Sequence, residues 1–174
     1  SEAAATIDKP AITVRPGTTI GRYHLREQIG GCIGIVFVAE RQRPIQRKIA
    51  LKVIKPGMDT RASIARFEGE RQSLAIMDHP NIVKVLDAGA TESGRPYSVM
   101  ELVRGVPITE YCDHNRLTVH ERLKLFIQVS RATQYAHEKG VMHEGLRPSK
   151  ILVTQCGGRP LESRSEINLL KSAN

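Results

Sequence analysis

A chain of 174 residues, 40% of them hydrophobic and 25% charged, has the make-up of one soluble globular domain or a large piece of one. Aromatic residues reach only 4% and Trp is absent, so the core has to rest on Leu, Ile, Val and Ala. No run approaches the ~18 consecutive apolar residues of a membrane-spanning helix, and the N-terminal stretch lacks the apolar segment of a secretory signal. The formal charge of +8 suits anionic partners, but Lys and Arg are scattered and no nucleic-acid-reading motif accompanies them, which argues against a nucleic-acid function. Cys32, Cys112 and Cys156 form neither a CxxC pair nor a His/Cys metal spacing, as expected in a reducing, cytoplasmic setting.

Residues 1–19, rich in Ala, Thr and Pro, read as a flexible leader. Strand patterns follow at Tyr23 to Ile29, Ile33 to Glu40 and Lys48 to Ile54, separated by turns containing Gly or Pro. From Arg61 to Met77 the spacing is helical, with Phe67, Leu74 and Met77 on one face. Glu70 lies on the same stripe, and a carboxylate on an apolar face needs a partner, because burying it alone is costly. His79-Pro80 ends this helix, and two further strands are expected at Ile82 to Ala88 and Tyr97 to Leu102. After Gly105 the chain turns helical. Thr118 and Glu121 make a capping box for a long helix whose buried stripe is Leu125, Val129, Ala132 and Ala136, and Gly140 suits the left-handed position past its end. Beyond Thr154 the pattern decays into a Gly/Arg/Ser-rich stretch.

Three short motifs lie on this frame: Ile49-Ala50-Leu51-Lys52 in the third strand, the cluster Gly30, Gly31 and Gly34 between the first two strands, and His143 to Leu152 after the long helix. Together with the order of elements, they resemble the serine/threonine protein kinases, the bacterial ones in particular, from about Thr19 to Pro160. The resemblance implies an α+β, protein-kinase-like fold: a five-stranded antiparallel N-lobe sheet with one helix, plus the beginning of the helical C-lobe. Its divisions would be a leader at 1–19, an N-lobe at 20–102, a hinge and partial C-lobe at 103–160, and a degenerate tail at 161–174.

In that family the Lys of the third strand grips the nucleotide phosphates and pairs with a Glu of the following helix. Lys52 and Glu70 stand at those places. Met100 would be the gatekeeper; Glu101 to Val103 would offer backbone groups to adenine; Val36, Ala50 and Leu152 would hold the purine; Ile29 would also belong to the nucleotide site; and the glycines would cover the phosphates, although one residue is lacking between the first two. His143-Glu144-Gly145-Leu146-Arg147-Pro148-Ser149-Lys150 resembles an eroded catalytic loop. His143 persists, Arg147 keeps only the charge of the usual Lys, and Gly145 stands where an Asp would accept the substrate proton. Lys150 replaces the Asn that holds Mg²⁺. No D-F-G or A-P-E triplet follows, and Ile167-Asn168-Leu169 is at best an eroded remnant of the first.

The implied ligand is therefore ATP, with a weakened case for Mg²⁺ and no metal site expected. The leading reading is a catalytically impaired kinase-like module that binds ATP between its lobes. Its alternatives are an active kinase within a longer parent chain, a relic, and a non-enzymatic protein-interaction module. Beyond nucleotide, the expected partners are other proteins or a missing C-terminal region.

Overall fold

A computed structural model of the chain describes residues 14–30, 34–42, 46–58, 60–142, 146–155 and 165–169. The strands β1 (Thr19–Ile20), β2 (Tyr23–Gly30), β3 (Gly34–Arg41), β4 (Arg47–Ile54), β5 (Val85–Ala90) and β6 (Pro96–Glu101) form one antiparallel sheet in the order β1-β2-β3-β4-β6-β5. The five expected strands are all present, with the two-residue β1 added at the edge. Alternation along the strands sends Phe37, Ala39, Ile49, Leu51, Val53 and Val99 into a core where each is at most 2% exposed. It sends Val36, Val38, Ala50, Lys52 and Met100 to the opposite face, where they line a cleft.

The sheet curls, and side chains fasten the curl. The Tyr23 hydroxyl of β2 donates to the carboxylate of Asp87 in β5, on the far side of the sheet, and Arg22 Nη2 donates to the same oxygen at 2.6 Å. The Tyr23 and Tyr97 rings meet edge to face at 6.4 Å. Gly89 is required beneath Tyr97, since a Cβ there would lie 2.6 Å from the phenolic oxygen.

Helix α1 (Arg61–Ala75) packs beside β5 and β6, on the face of the sheet that carries Lys52, and is capped by Thr60, whose side chain accepts from the Ser63 N–H. It ends at Ala75, short of the expected Met77, but Met77 is still buried. The second layer begins with β7 (Val106–Pro107), α2 (Ile108–His114) and α3 (Val119–Glu138). The Thr118/Glu121 capping box forms, and Gly140 adopts φ 73° just past the end of α3. A 3-10 turn (Pro148–Lys150) then leads into β8 (Ile151–Gln155), which pairs with β7 on one side and with β9 (Ser165–Leu169) on the other. One core joins the layers: Leu74 and Met77, from α1 and the turn after it, pack with Tyr111, Leu125, Val129, Ala132, Ile151 and Val153.

Two expectations are revised. Packing begins by residue 14, inside the leader expected to run through Thr19: Val14 is buried in the sheet core and the Gly17 N–H bonds to Leu25 O at 2.8 Å. The expected degenerate tail at 161–174 contains a strand, β9, with Leu152 opposite Asn168. Among the described residues, no helix is long and apolar enough to cross a membrane.

Candidate functional site

Between the sheet and the β7–β8 region lies a cleft of about 840 Å³. Its ceiling follows from strand alternation: Val36 of β3 and Ala50 of β4 share one face, and the register sets Ala50 opposite Met100 of β6. Ala50, Val83 and Met100 form a small apolar cluster distinct from both larger cores, with Val36, Leu102 and Val103 packed against it. The apolar lining comes from both sides of the cleft: Val36, Ala50 and Met100 from the sheet and Leu152 from β8. After β6 the chain leaves the sheet, and residues 102–105 run irregularly along the cleft edge. The Glu101 N–H bonds to Lys84 O at 3.1 Å and its carboxylate accepts from the Lys84 N–H at 2.9 Å, which fixes where this edge starts. Gly105 passes so close to β8 that a Cβ would lie 2.9 Å from Val153 O.

Beside this apolar pocket lies the charged part of the site. Lys52 Nζ donates to both carboxylate oxygens of Glu70 at 3.0 Å, and the two residues are 6% and 8% exposed. The pairing answers the question posed by an acid on the apolar stripe of α1, since each charge offsets the burial of the other. Lys52 is further held by Phe67, whose ring centroid lies 5.5 Å from Nζ, and by Gly34, where a Cβ would come within 3.1 Å of Lys52 Cγ. Gly34 thus leaves room for the lysine stem, and Gly30 and Ile29 line the same roof.

The floor has different chemistry. Arg147, just before the 3-10 turn, and Ser149 and Lys150 within it line the cleft, and Lys150 is 8% exposed. Arg26, Lys48 and Arg104 add positive charge nearer the rim. Glu40 is the counterion of Arg26, with contacts of 3.0 and 2.7 Å, and that guanidinium holds its carboxyl below the usual carboxylate range.

The structure brings Lys52, Glu70, Ile29, Gly30, Gly34, Val36, Ala50, Met100, Glu101, Val103, Arg147, Lys150 and Leu152 to this one region. Gly31, Cys32, His143, Glu144 and Gly145 lie outside the described residues. Val83, Arg104 and Gly105 also line the cleft without being marked in the sequence. The last two follow Glu101 to Val103, and extending that stretch by two positions reaches both.

The chain matches the family model described as the protein kinase domain over residues 23–161. It is 36% identical over 151 residues to the serine/threonine-protein kinase PknA of Mycobacterium tuberculosis, covering 82% of this chain and 35% of that protein. To PrkC of Bacillus subtilis it is 34% identical over 140 residues, covering 79% of this chain and 21% of that protein. The crystal structure of the Mycobacterium tuberculosis PknI kinase domain superimposes with a TM-score of 0.70 at 27% identity, over 91% of this chain and 62% of that one. The chain spans about a third of PknA and about a fifth of PrkC.

Proposed function

The chain belongs to the protein kinase family, and from that premise we propose that it binds ATP in the cleft while its capacity for phosphoryl transfer is impaired. The observation that carries the reading is the buried Lys52–Glu70 pair beside an apolar pocket. An ammonium held by a carboxylate at 3.0 Å is oriented before any ligand arrives, so little ordering cost remains when phosphate oxygens approach. The purine fits between Val36 and Ala50 above and Leu152 below, with its polar edge toward residues 102–105.

Impairment follows from chemistry at one position. Phosphoryl transfer needs a group to orient the hydroxyl nucleophile and charge stabilisation at the transferred phosphoryl. Gly145, where the family resemblance expects the orienting Asp, has no side chain to do so. General-base help is worth ~10²–10⁴ in rate, so what activity survives is slow. The reading also places the chain where ATP is supplied, in the cytoplasm.

Isothermal titration with ATP and with adenosine tests the binding, and phosphate incorporation into a generic protein substrate tests the transfer. Saturable binding of both ligands, weakened for ATP alone by Lys52→Met, is the expected result, together with incorporation at background. Absence of heat with either ligand would overturn the nucleotide reading, and rapid incorporation would overturn the impairment.

A further inference from the structure

We propose that the cleft takes the nucleoside triphosphate as the bare polyphosphate anion, with the Lys150 ammonium standing where a divalent cation would stand. The inference rests on the reading of the cleft as a nucleotide site and concerns what neutralises the phosphates.

A divalent cation in such a site requires converging oxygen donors: carboxylates, amide carbonyls or water held by them. The residues here do not fit one. Among the described residues, no group of three His, Cys, Asp or Glu side chains could hold a metal. Three of the carboxylates near the cleft are engaged elsewhere: Glu70 with Lys52, Glu40 with Arg26, and Glu101 with the Lys84 N–H. Glu27 sits on β2, on the ceiling side of the cleft. On the floor, where the family resemblance places an amide ligand, the lining side chains are Arg147, Ser149 and Lys150. An ammonium has three donors and no lone pair, so it repels a divalent cation and attracts what that cation would have bound.

The same residues suit a polyphosphate. Lys52 on the ceiling and Lys150 on the floor are each held at under 10% exposure, with Arg147 more exposed beside Lys150. A cation in a low-dielectric site is worth more to a bound anion than one in water, and the cleft has one buried lysine on each wall. Bound magnesium would remove negative charge from the phosphates and add positive charge to a site that already has it. Magnesium is therefore a competitor here.

The test is titration of the whole chain with ATP in EDTA and again in excess MgCl₂, with adenosine as reference in both buffers. Tighter ATP binding in EDTA, by severalfold, is expected. Lys150→Asn should weaken ATP binding in EDTA by roughly ten- to a hundredfold, the loss of one hydrogen bond between charged groups, and should leave adenosine unchanged. Lys150→Arg should retain most of the affinity. Binding of ATP that appears only with MgCl₂, or EDTA affinity untouched in Lys150→Asn, overturns the proposal while leaving the nucleotide site standing. Failure of both ATP and adenosine in both buffers overturns the site itself. The comparison of buffers needs no variant, so an unfolded variant leaves the test intact.

Discussion

The ceiling and the floor of the cleft were built by the same chain under the same fold, yet they differ in kind. On the ceiling, β3 and β4 present Val36, Ala50 and Lys52 at the pitch that strand alternation dictates, and α1 supplies Glu70. On the floor, the backbone path is equally regular, running from a 3-10 turn into β8, but its side chains are Arg147, Ser149 and Lys150. The ceiling's ion pair is tied to stability as well as function, since losing one member leaves a charge buried without its counterion. On the proposed nucleotide reading, the floor's side chains serve the ligand, and a binding pocket of this kind can outlast the machinery that reacts within it where packing holds the former more firmly than the latter.

The largest test of this contrast is on the ceiling. Lys52→Met leaves the Glu70 carboxylate buried without its ammonium, and Glu70→Ala does the reverse, so each should cost ~3–5 kcal/mol. The double variant should be far less costly than their sum, because the pair fails as a unit. Urea unfolding of the four species measures this. Additive costs would mean that the two charges act independently, and the ceiling would then be no better protected than the floor.

A second test asks whether the floor is anchored to the ceiling by the core they share. Leu125 of α3 is 5% exposed and packs in the cluster that includes Leu74, whereas its neighbour Phe126 is 61% exposed. Leu125→Ala should cost about 2–5 kcal/mol, and Phe126→Ser should stay within ~0.5 kcal/mol. Equal effects in thermal or urea melts would show that α3 buries a different face. Smaller again is the cap: Thr118→Ala removes the acceptor for the Glu121 N–H and should cost about 1 kcal/mol.

How far the sequence revealed these features depended on whether the signal was local. The capping box is a four-residue pattern and was legible. Glu70 was legible because an acid breaks the apolar stripe of α1, and Lys52 because it ends a strand motif. β9 was not: within Ser165–Leu169 only Ile167 and Leu169 alternate, and the partner strand β8 lies across a Gly/Arg/Ser-rich stretch. Val14 was hidden for a similar reason, since the Ile12/Val14 alternation is cut short by Arg15-Pro16-Gly17 and marks no element until β2 gives Val14 a surface to pack on. The rim cations Arg26, Lys48 and Arg104 come from three separate segments, and only the folded sheet brings them to one cleft.

The smallest effect concerns the clasp that holds the ceiling's curl. Burial alone would push the Asp87 carboxyl up, but donation from the Tyr23 hydroxyl, from Arg22 and from the Ala88 N–H outweighs it and holds the group below its ordinary value. A carboxylate whose folded pKa is depressed contributes stability above its unfolded pKa, near ~3.9 for Asp, and loses that contribution as pH falls through the lower folded value. The side chain is 30% exposed, so solvent screening keeps the contribution to about 1 kcal/mol or less. Asp87→Asn should therefore be slightly less stable than the parent at pH 7, and the gap should close as the pH is taken below about 3.9. Urea melts at pH 7 and pH 3 measure both. A gap that persists unchanged at pH 3 would assign the loss to altered packing around Tyr23, and the curl would then be held by the edge-to-face rings of Tyr23 and Tyr97 rather than by charge.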